Sequence, residues 1–245
     1  MEPQTINRFI KYLKAAMTPS FWPALAKGVM PAVEHIGAIK RLAPRTLIDI
    51  GANKGQFSLM ARYLFPSIEI QAFEPLDREL QIYRSLIGRR AQLHATALGD
   101  VTGSANFFVT ARADSSSLLE PDLGQEKAYG IRTKASMLVP VARLPEIIDV
   151  ETFKRPILMK LDVQGAELEV LMGAEQILRF IDAIYCEVSF VELYKGQPRA
   201  TEIIQYLAQR QFELRGVFNM STTKEYGPTQ ADLLFLPRVE VGQGP

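Results

Sequence analysis

The sequence predicts an α/β fold in which a mostly parallel sheet is doubly wound with helices. From residue 46 onward, short apolar stretches typical of strands alternate with amphipathic stretches typical of helices. The first of these strands runs into a glycine-containing turn, residues 51–55, and the turn opens a helix. This alternation favours parallel strands joined by right-handed crossovers. We therefore expect ligands to bind at the carboxyl ends of the strands.

The regular part of the pattern gives five strands and three helices. The strands are predicted at 46–50, 68–73, 92–98, 157–163 and 183–188. The helices are predicted at 55–65, 77–87 and 200–210. Two further apolar runs, 212–220 and 232–236, are joined by a stretch with no helical pattern, so we expect an antiparallel closing pair.

An N-terminal helical extension, residues 1–41, precedes the main domain at 42–245. It begins with a basic amphipathic pattern, in which apolar residues recur at helical spacing between cations. These residues are Ile6, Phe9, Ile10, Leu13 and Met17, with Arg8, Lys11 and Lys14 between them. The helix either caps the domain or makes a peripheral contact with an anionic membrane through residues 1–17.

The strand-helix rhythm breaks between residues 103 and 150. Residues 105–109 and 137–141 resemble extra strands, and a short helix is expected at 144–148. We interpret this region as an insertion over the carboxyl ends of the strands, with a solvated connector as the alternative.

Composition limits the classes of function. Apolar residues make up 47% of the 245 residues and the formal net charge is +1, which indicates a globular chain and gives no reason to expect a nucleic-acid partner. The one cysteine, Cys186, lies in an apolar run, so we expect a buried thiol and no disulfide framework. No apolar run approaches the roughly 20 residues of a bilayer span, and we expect a cytoplasmic protein.

The turn at residues 51–55 has the layout of a nucleotide cradle. Its glycines let the backbone approach a ligand closely, and the next helix points free N–H groups at the same place. About twenty residues downstream, the second strand ends in the carboxylate of Glu74, where an acid meets the ribose hydroxyls of an adenosine ligand in such sheets. Asp49 and Glu74 are therefore expected in one site.

Three charged residues lie in otherwise apolar strands. Lys160 and Asp162 share one face of the strand at 157–163, and Glu187 occupies a similar place in the strand at 183–188. Such groups are costly to bury unpaired, so they need partners or a polar cleft. One reading is a purely structural ion pair between Lys160 and Glu187.

Five motifs along the chain together resemble the FkbM-type methyltransferases in order and spacing, from about residue 46 to 236. They are Asp49-Ile50-Gly51-Ala52-Asn53-Lys54-Gly55-Gln56-Phe57, Phe73-Glu74-Pro75, Ala97-Leu98-Gly99-Asp100, Lys160-Leu161-Asp162-Val163-Gln164-Gly165-Ala166-Glu167 and Glu187-Val188-Ser189-Phe190-Val191-Glu192-Leu193-Tyr194. The resemblance implies an S-adenosylmethionine-dependent O-methyltransferase. It also implies the Rossmann-like class I methyltransferase fold, a seven-stranded, mostly parallel sheet with an antiparallel closing strand.

The resemblance also implies which residues bind S-adenosylmethionine. Asp49 would order the turn and face the ammonium group, Glu74 would accept hydrogen bonds from both ribose hydroxyls, and Asp100 would accept one from the adenine amine. The full expected set is Asp49, Gly51, Ala52, Asn53, Gly55, Phe57, Glu74, Pro75, Leu98, Gly99, Asp100 and Asp162.

Transfer of the methyl group to a hydroxyl needs alignment and a general base. We expect Asp162 as the first candidate base and Glu187 as the second, with Lys160 orienting one of them. His35 and His94 are expected to be structural. Two carboxylates are a weak signal for a divalent cation, so no metal site is assigned. The acceptor is expected to contact the loop at 115–117 or Tyr194.

The acceptor expected from the resemblance is a hydroxyl of a sugar, glycan or glycolipid, with a small natural product such as a polyketide as the alternative. A nicotinamide dehydrogenase is disfavoured because the turn is Gly-x-x-x-Gly and the chain has no Tyr-x-x-x-Lys pair. A phosphate-loop nucleotidase is excluded because no Gly-Lys-Ser/Thr occurs. A non-catalytic methyltransferase-like binding module remains an alternative from another class.

Overall fold

Ten strands and eight α-helices form the described part of this computed structural model, residues 3–111 and 113–238. The strands are β1 (Thr46–Ile50), β2 (Glu69–Phe73), β3 (Gln92–His94), β4 (Ala97–Leu98), β5 (Gly103–Thr110), β6 (Thr133–Ala142), β7 (Ile157–Leu161), β8 (Ala183–Ser189), β9 (Phe212–Thr223) and β10 (Gly227–Pro237). The helices are α1 (Pro3–Ala16), α2 (Trp22–Ala26), α3 (Ile36–Ile39), α4 (Gln56–Leu64), α5 (Asp77–Ile87), α6 (Leu123–Tyr129), α7 (Glu167–Gly173) and α8 (Ala200–Gln209).

Seven strands form the main sheet in the order β3-β2-β1-β7-β8-β10-β9. Neighbouring strands from β3 to β8 pair in parallel, whereas β10 is antiparallel to both β8 and β9. The predicted α/β fold, with its mostly parallel sheet and antiparallel closing strand, is confirmed. The carboxyl ends of β1, β2 and β7 therefore lie side by side.

Helices cover both faces of this sheet because strand residues alternate in direction. On β1, Leu47 packs in a cluster with residues of α4 and α5, whereas Ile48 packs in a second cluster with residues of α7 and α8. All five residues of β1 are buried. The central strand is thus fixed from both sides, and its carboxyl end holds a constant position for a site.

The predicted strand at 92–98 is wrong in one respect, because the structure divides it between two sheets. Residues of β3 pair with β2, whereas Ala97 and Leu98 of β4 pair with β6 in a separate three-stranded sheet. Between them Thr96 is buried, with its hydroxyl 3.0 Å from the carbonyl oxygen of Pro140. The chain thus leaves the main sheet at its carboxyl edge.

The region between residues 103 and 150 contributes the other strands of this small sheet. Strand β5 runs antiparallel to β6, and the apolar residues Phe107, Val139 and Val141 form its core with Leu76. The strands predicted at 105–109 and 137–141 are longer in the structure. The short helix predicted at 144–148 is a 3-10 turn at Leu144–Glu146. The strand predicted at 157–163 ends at Leu161, which leaves Asp162 in the loop beyond β7.

The N-terminal segment, residues 3–41, has a small apolar cluster of its own that includes Ala15, Phe21 and Val33. Ile39 joins the cluster that contains Leu47 of β1. The predicted apolar stripe of α1 is partly exposed, since Ile10 and Leu13 are 43% and 42% accessible. The side chains of Ile6, Arg8 and Phe9 lie outside the described residues. In the part of the chain that the structure describes, no helix has both the length and the apolar character to cross a bilayer.

Candidate active site

The turn after β1 is held between the end of β2 and the loop after β7. The N–H groups of Gly51 and Ala52 donate to the Phe73 carbonyl at 3.1 and 3.0 Å. Gly51 has a φ of +74°, and a Cβ at this position would lie 1.9 Å from the carbonyl oxygen of Asp162. Only glycine fits such a position, which explains the residue type without any ligand.

Glu74 lies at the end of β2 with both carboxylate oxygens engaged by backbone. Oε2 accepts from the Asn53 N–H and Oε1 from the Leu76 N–H, each at 2.9 Å. Burial raises the pKa of Glu74 to about 7, although these two hydrogen bonds favour the ionised form. Each carboxylate oxygen retains a further lone pair, and both Glu74 and Pro75 line a cavity next to the turn.

Asp49 is placed differently from the expectation that it faces a ligand. Its side chain is 0% exposed, and its Oδ2 accepts from the Ser58 hydroxyl at 2.6 Å. The Tyr83 hydroxyl donates to Ser58 in turn, at 2.9 Å. The other oxygen, Oδ1, lies 3.3 Å from the Lys160 ammonium. Asp49 thus orders the turn from behind, and the cavity lining does not include it.

Lys160 forms its ion pairs with Asp49 and Asp162, and not with Glu187. Its Nζ lies 3.7 Å from Asp162 Oδ2 and donates to the carbonyl oxygens of Ile50 and Gly51 at 3.3 and 3.0 Å. Burial alone would lower the pKa of Lys160, but the two neighbouring carboxylates outweigh burial and raise it. The lysine therefore stays charged and ties the turn to β7.

Gln164 joins the two candidate bases. Its Nε2 donates to Asp162 Oδ1 and to Glu187 Oε2, both at 2.7 Å. Gln230 Nε2 donates to the same Glu187 oxygen at 2.9 Å. Burial first, and then the charges of Asp162 and Asp232, raise the pKa of Glu187 well above its ordinary value. Asp162 and Gln164 line the cavity, whereas Glu187 lies behind them.

On the side of the cavity where adenine is expected to bind, the lining residues differ in part from those predicted. Leu98 lines the cavity together with Thr96, Ala97 and Phe107. Gly99 and Asp100 do not, because the chain turns toward α7 after Leu98. The Gly99 carbonyl oxygen lies so close to Gly173 that a Cβ there would be 1.9 Å away.

Some of the remaining residues that were predicted to bind the cofactor or acceptor line the cavity, and others pack behind it. Ala52, Asn53 and Phe57 line the cavity, whereas Gly55 faces Tyr83 instead, 3.0 Å from where a Cβ would stand. Of the two candidate acceptor contacts, Ser116 lines the cavity. Tyr194 is fully buried, with its hydroxyl 2.9 Å from the Ser115 carbonyl and 3.0 Å from Gln164 Oε1, so it supports Gln164 from behind.

The cavity has a volume of about 400 Å³. Part of its wall consists of residues that the sequence did not indicate as site residues. These come from the N-terminal segment and include Lys11, Met30, Glu34 and His35. His94, by contrast, stacks on Phe73 with ring centroids 4.5 Å apart and contacts Gln71. Among the described residues, no group of three or more histidine, cysteine or acidic side chains is arranged to hold a metal ion.

His35 is part of a chain of charges at this side of the cavity. Its Nδ1 lies 3.0 Å from the Tyr185 hydroxyl and 3.3 Å from Asp232 Oδ2, and its Nε2 lies 3.5 Å from Glu34 Oε1. Burial would lower the pKa of His35, but the hydrogen bonds and charges of Asp232 and Glu34 raise it to about 9. The imidazolium therefore ties the N-terminal segment to β10.

Comparisons with known proteins find similar methyltransferases and a protein of the same fold. A protein described as "2-O-methyltransferase NoeI" from Sinorhizobium fredii is 29% identical over 182 residues, which cover 70% of this chain and 74% of that protein. "Methyltransferase 1" from Beauveria bassiana is 28% identical over 144 residues, covering 53% of this chain and 58% of its own length. The crystal structure of TehB from Haemophilus influenzae has the same fold, with a TM-score of 0.51, 8% identity, and coverage of 89% of this chain and 66% of TehB.

The family model described as "Methyltransferase FkbM domain" matches residues 49–214, more than half of the chain. The matched range begins at Asp49 and includes the turn, Glu74 and the Lys160–Asp162–Gln164 group. The chain therefore belongs to the FkbM family of S-adenosylmethionine-dependent methyltransferases.

Proposed function

We propose that this methyltransferase transfers the methyl group of S-adenosylmethionine to a hydroxyl of a sugar, glycan or glycolipid. The observation that carries the proposal is the position of Asp162, a carboxylate that lines the cavity directly beside the glycine turn. Its side chain is 40% exposed, so it can meet a second substrate. The similarity to a protein described as a 2-O-methyltransferase supports oxygen as the acceptor atom.

The residues that line the cavity fit the cofactor. The free lone pairs of Glu74 suit two ribose hydroxyls, and Gly51 and Ala52 line the same cavity. The cavity volume of about 400 Å³ falls within the common range for small-molecule sites, roughly 300–1,000 Å³. Leu98 and Phe107 offer apolar surface to the adenine ring.

When bound, S-adenosylmethionine supplies an electrophilic methyl group on a positively charged sulfur. Asp162 accepts the proton that the acceptor hydroxyl loses as its oxygen attacks. Gln164 and Lys160 fix this carboxylate from two sides, so that it is held ready without large rearrangement. Glu187 is less suited to accept that proton, because burial raises its pKa and so favours the protonated acid, and Gln164 separates it from the cavity.

Assay of methyl transfer to a panel of sugars tests the proposal. Purified protein is incubated with isotopically labelled S-adenosylmethionine and a set of methyl glycosides, and mass spectrometry locates the label. We expect label on one hydroxyl oxygen of at least one glycoside, and loss of most turnover in Asp162→Asn with S-adenosylhomocysteine affinity kept within a few-fold. Label on nitrogen or carbon, or full activity in Asp162→Asn, would contradict the proposed acceptor or the proposed base respectively.

We also propose a cytoplasmic protein whose first 17 residues make peripheral contact with anionic membranes. The exposed residues Leu13, Met17 and Trp22 beside Lys14 support this contact. Sedimentation with vesicles that contain phosphatidylglycerol should show salt-sensitive binding. A deletion of residues 1–17 that binds equally well would contradict it.

A further inference from the structure

The cavity has two chemically distinct ends. Glu74 and Leu98 lie toward the small sheet, where the ribose and adenine of the cofactor are expected. The N-terminal segment closes the other end, next to Phe57, since the Ala32 N–H donates to the Gln56 carbonyl at 3.1 Å. In S-adenosylmethionine the ribose lies between the adenine and the amino-acid group. A cofactor with its ribose at Glu74 therefore extends its amino-acid group toward the N-terminal segment.

The acid expected to meet the cofactor's ammonium group is not free to do so. Asp49 is fully buried, and its two oxygens face Ser58 and Lys160. Asp162, the other carboxylate near the turn, serves the acceptor hydroxyl in the proposed function, with Gln164 and Lys160 beside it. The charged amino-acid group therefore needs other partners in the cavity.

Glu34 and Lys11 offer such partners. Lys11 Nζ lies 2.5 Å from Glu34 Oε1, and the two side chains are 31% and 30% exposed and line the cavity. Although burial raises the pKa of Glu34, the hydrogen bonds and charges of His35 and Lys11 outweigh it and lower the pKa to about 2. The pair thus places a carboxylate and an amine side chain at the same end of the cavity.

We propose that Glu34 and Lys11 form the subsite for the amino-acid group of S-adenosylmethionine. The Glu34 carboxylate accepts hydrogen bonds from the α-ammonium, and the Lys11 ammonium donates to the α-carboxylate. His35 is a positioning residue, because its Nε2 contacts the same Glu34 oxygen, Oε1, as Lys11 does. The inference rests on the cofactor and does not depend on the acceptor. All three residues precede the range matched by the family model.

Calorimetric titration with two ligands tests the subsite. S-adenosylhomocysteine carries the amino-acid group, whereas 5′-methylthioadenosine keeps the adenosine and the thioether but lacks that group. For Glu34→Gln and Lys11→Met we expect at least tenfold weaker binding of S-adenosylhomocysteine, and binding of 5′-methylthioadenosine within about twofold of the wild type. Lys14→Met, on the exposed side of α1, is the matched control and should change neither affinity.

Three outcomes would overturn the subsite. Both variants could bind S-adenosylhomocysteine as tightly as the wild type. They could also weaken both ligands by the same factor, which would indicate a structural role for the ion pair. A wild-type protein that binds neither ligand would overturn the cofactor assignment as well. Lys11→Met keeps the test decisive if Glu34→Gln fails to fold, because Glu34 also contacts His35, whereas, among the described residues, Lys11 has no ion pair with His35 or Asp232.

Discussion

Lys160 Nζ lies 3.3 Å from Asp49 Oδ1 across the paired strands β7 and β1, and both side chains are buried. This Oδ1 atom has no hydrogen-bond donor among the described residues, so the ammonium group alone balances its charge. Lys160 also donates to the Ile50 and Gly51 carbonyls, so it stabilises the turn at residues 51–55 as well as the sheet.

Lys160→Met should therefore destabilise the fold strongly. Removing one partner of a buried ion pair leaves an uncompensated charge, which typically costs about 3–5 kcal/mol. Urea unfolding measures the free energy of unfolding, and the double variant Asp49→Asn/Lys160→Met should regain part of the loss. A single variant within about 1 kcal/mol of the wild type would show that the pair contributes little, as exposed pairs do.

Glu74 should link cofactor binding to pH. In the free protein its pKa is raised to about 7, and ribose hydroxyls that donate to the carboxylate favour its ionised form. At pH 6 only about a tenth of the protein has an ionised Glu74, so S-adenosylhomocysteine should bind about tenfold more weakly than at pH 8. Binding near pH 7 should release a proton, which calorimetry in two buffers of different ionisation enthalpy detects.

The control for this linkage is Glu74→Gln, which cannot ionise. Its affinity should be lower at pH 8 and nearly independent of pH between 6 and 8. Glu167 also has a pKa raised to about 7, chiefly by burial, but it is hydrogen-bonded to the backbone of Gly165 and Val163. If the pH dependence persists in Glu74→Gln, the linkage belongs to Glu167 or another group.

The sequence was sufficient for features that depend on local spacing. The strand at 46–50, the turn after it and the carboxylate of Glu74 follow from residues close together in the chain. The partner of Lys160 could not be predicted, because Asp49 and Glu187 lie on different neighbouring strands and the choice depends on strand order and side-chain direction. Only the folded sheet resolves that choice.

Features that depend on long-range pairing were missed for a similar reason. Gly99 and Asp100 do not line the cavity because the chain turns toward α7 after Leu98, and the Gly99 carbonyl oxygen lies against Gly173, more than seventy residues away. His35 carried no motif, since it enters the site only when the N-terminal segment packs against β10 through Asp232. A histidine predicted as structural can therefore also lie beside a ligand cavity.

Gln164 should affect turnover more than cofactor binding. It has a left-handed backbone, with φ +59°, and its amide holds the carboxylates of Asp162 and Glu187. Gln164→Ala should lower kcat by roughly 10²-fold, the scale of a misplaced general base, with S-adenosylhomocysteine affinity within a few-fold. Gln164→Asn, which tolerates this backbone, should recover part of the rate.

The matched control for Gln164 is Gln92→Ala, an exposed glutamine on the edge strand β3. It should leave kcat and cofactor affinity unchanged. If Gln164→Ala keeps the wild-type kcat, Asp162 needs no positioning by this amide and the proposed arrangement of the base is wrong.

His35 should make the stability of the fold depend on pH. Its folded pKa of about 9 lies above the ordinary value of 6.5, so the folded state binds this proton more tightly than the unfolded state. The resulting stabilisation, on the order of 3 kcal/mol, is complete below pH 6.5 and is lost as pH rises through 9. The groups that face the imidazole are Glu34, Asp232, Tyr185 and Asn219.

His35→Gln should therefore be less stable than the wild type at pH 6, with the difference shrinking toward pH 9.5. Urea unfolding at both pH values measures it, and NMR titration of the imidazole gives the pKa directly. Asp232→Asn should lower that pKa, because it removes the carboxylate that contacts Nδ1. A difference in stability that stays constant across this range would mean that His35 is neutral in the folded protein and holds β10 by packing alone.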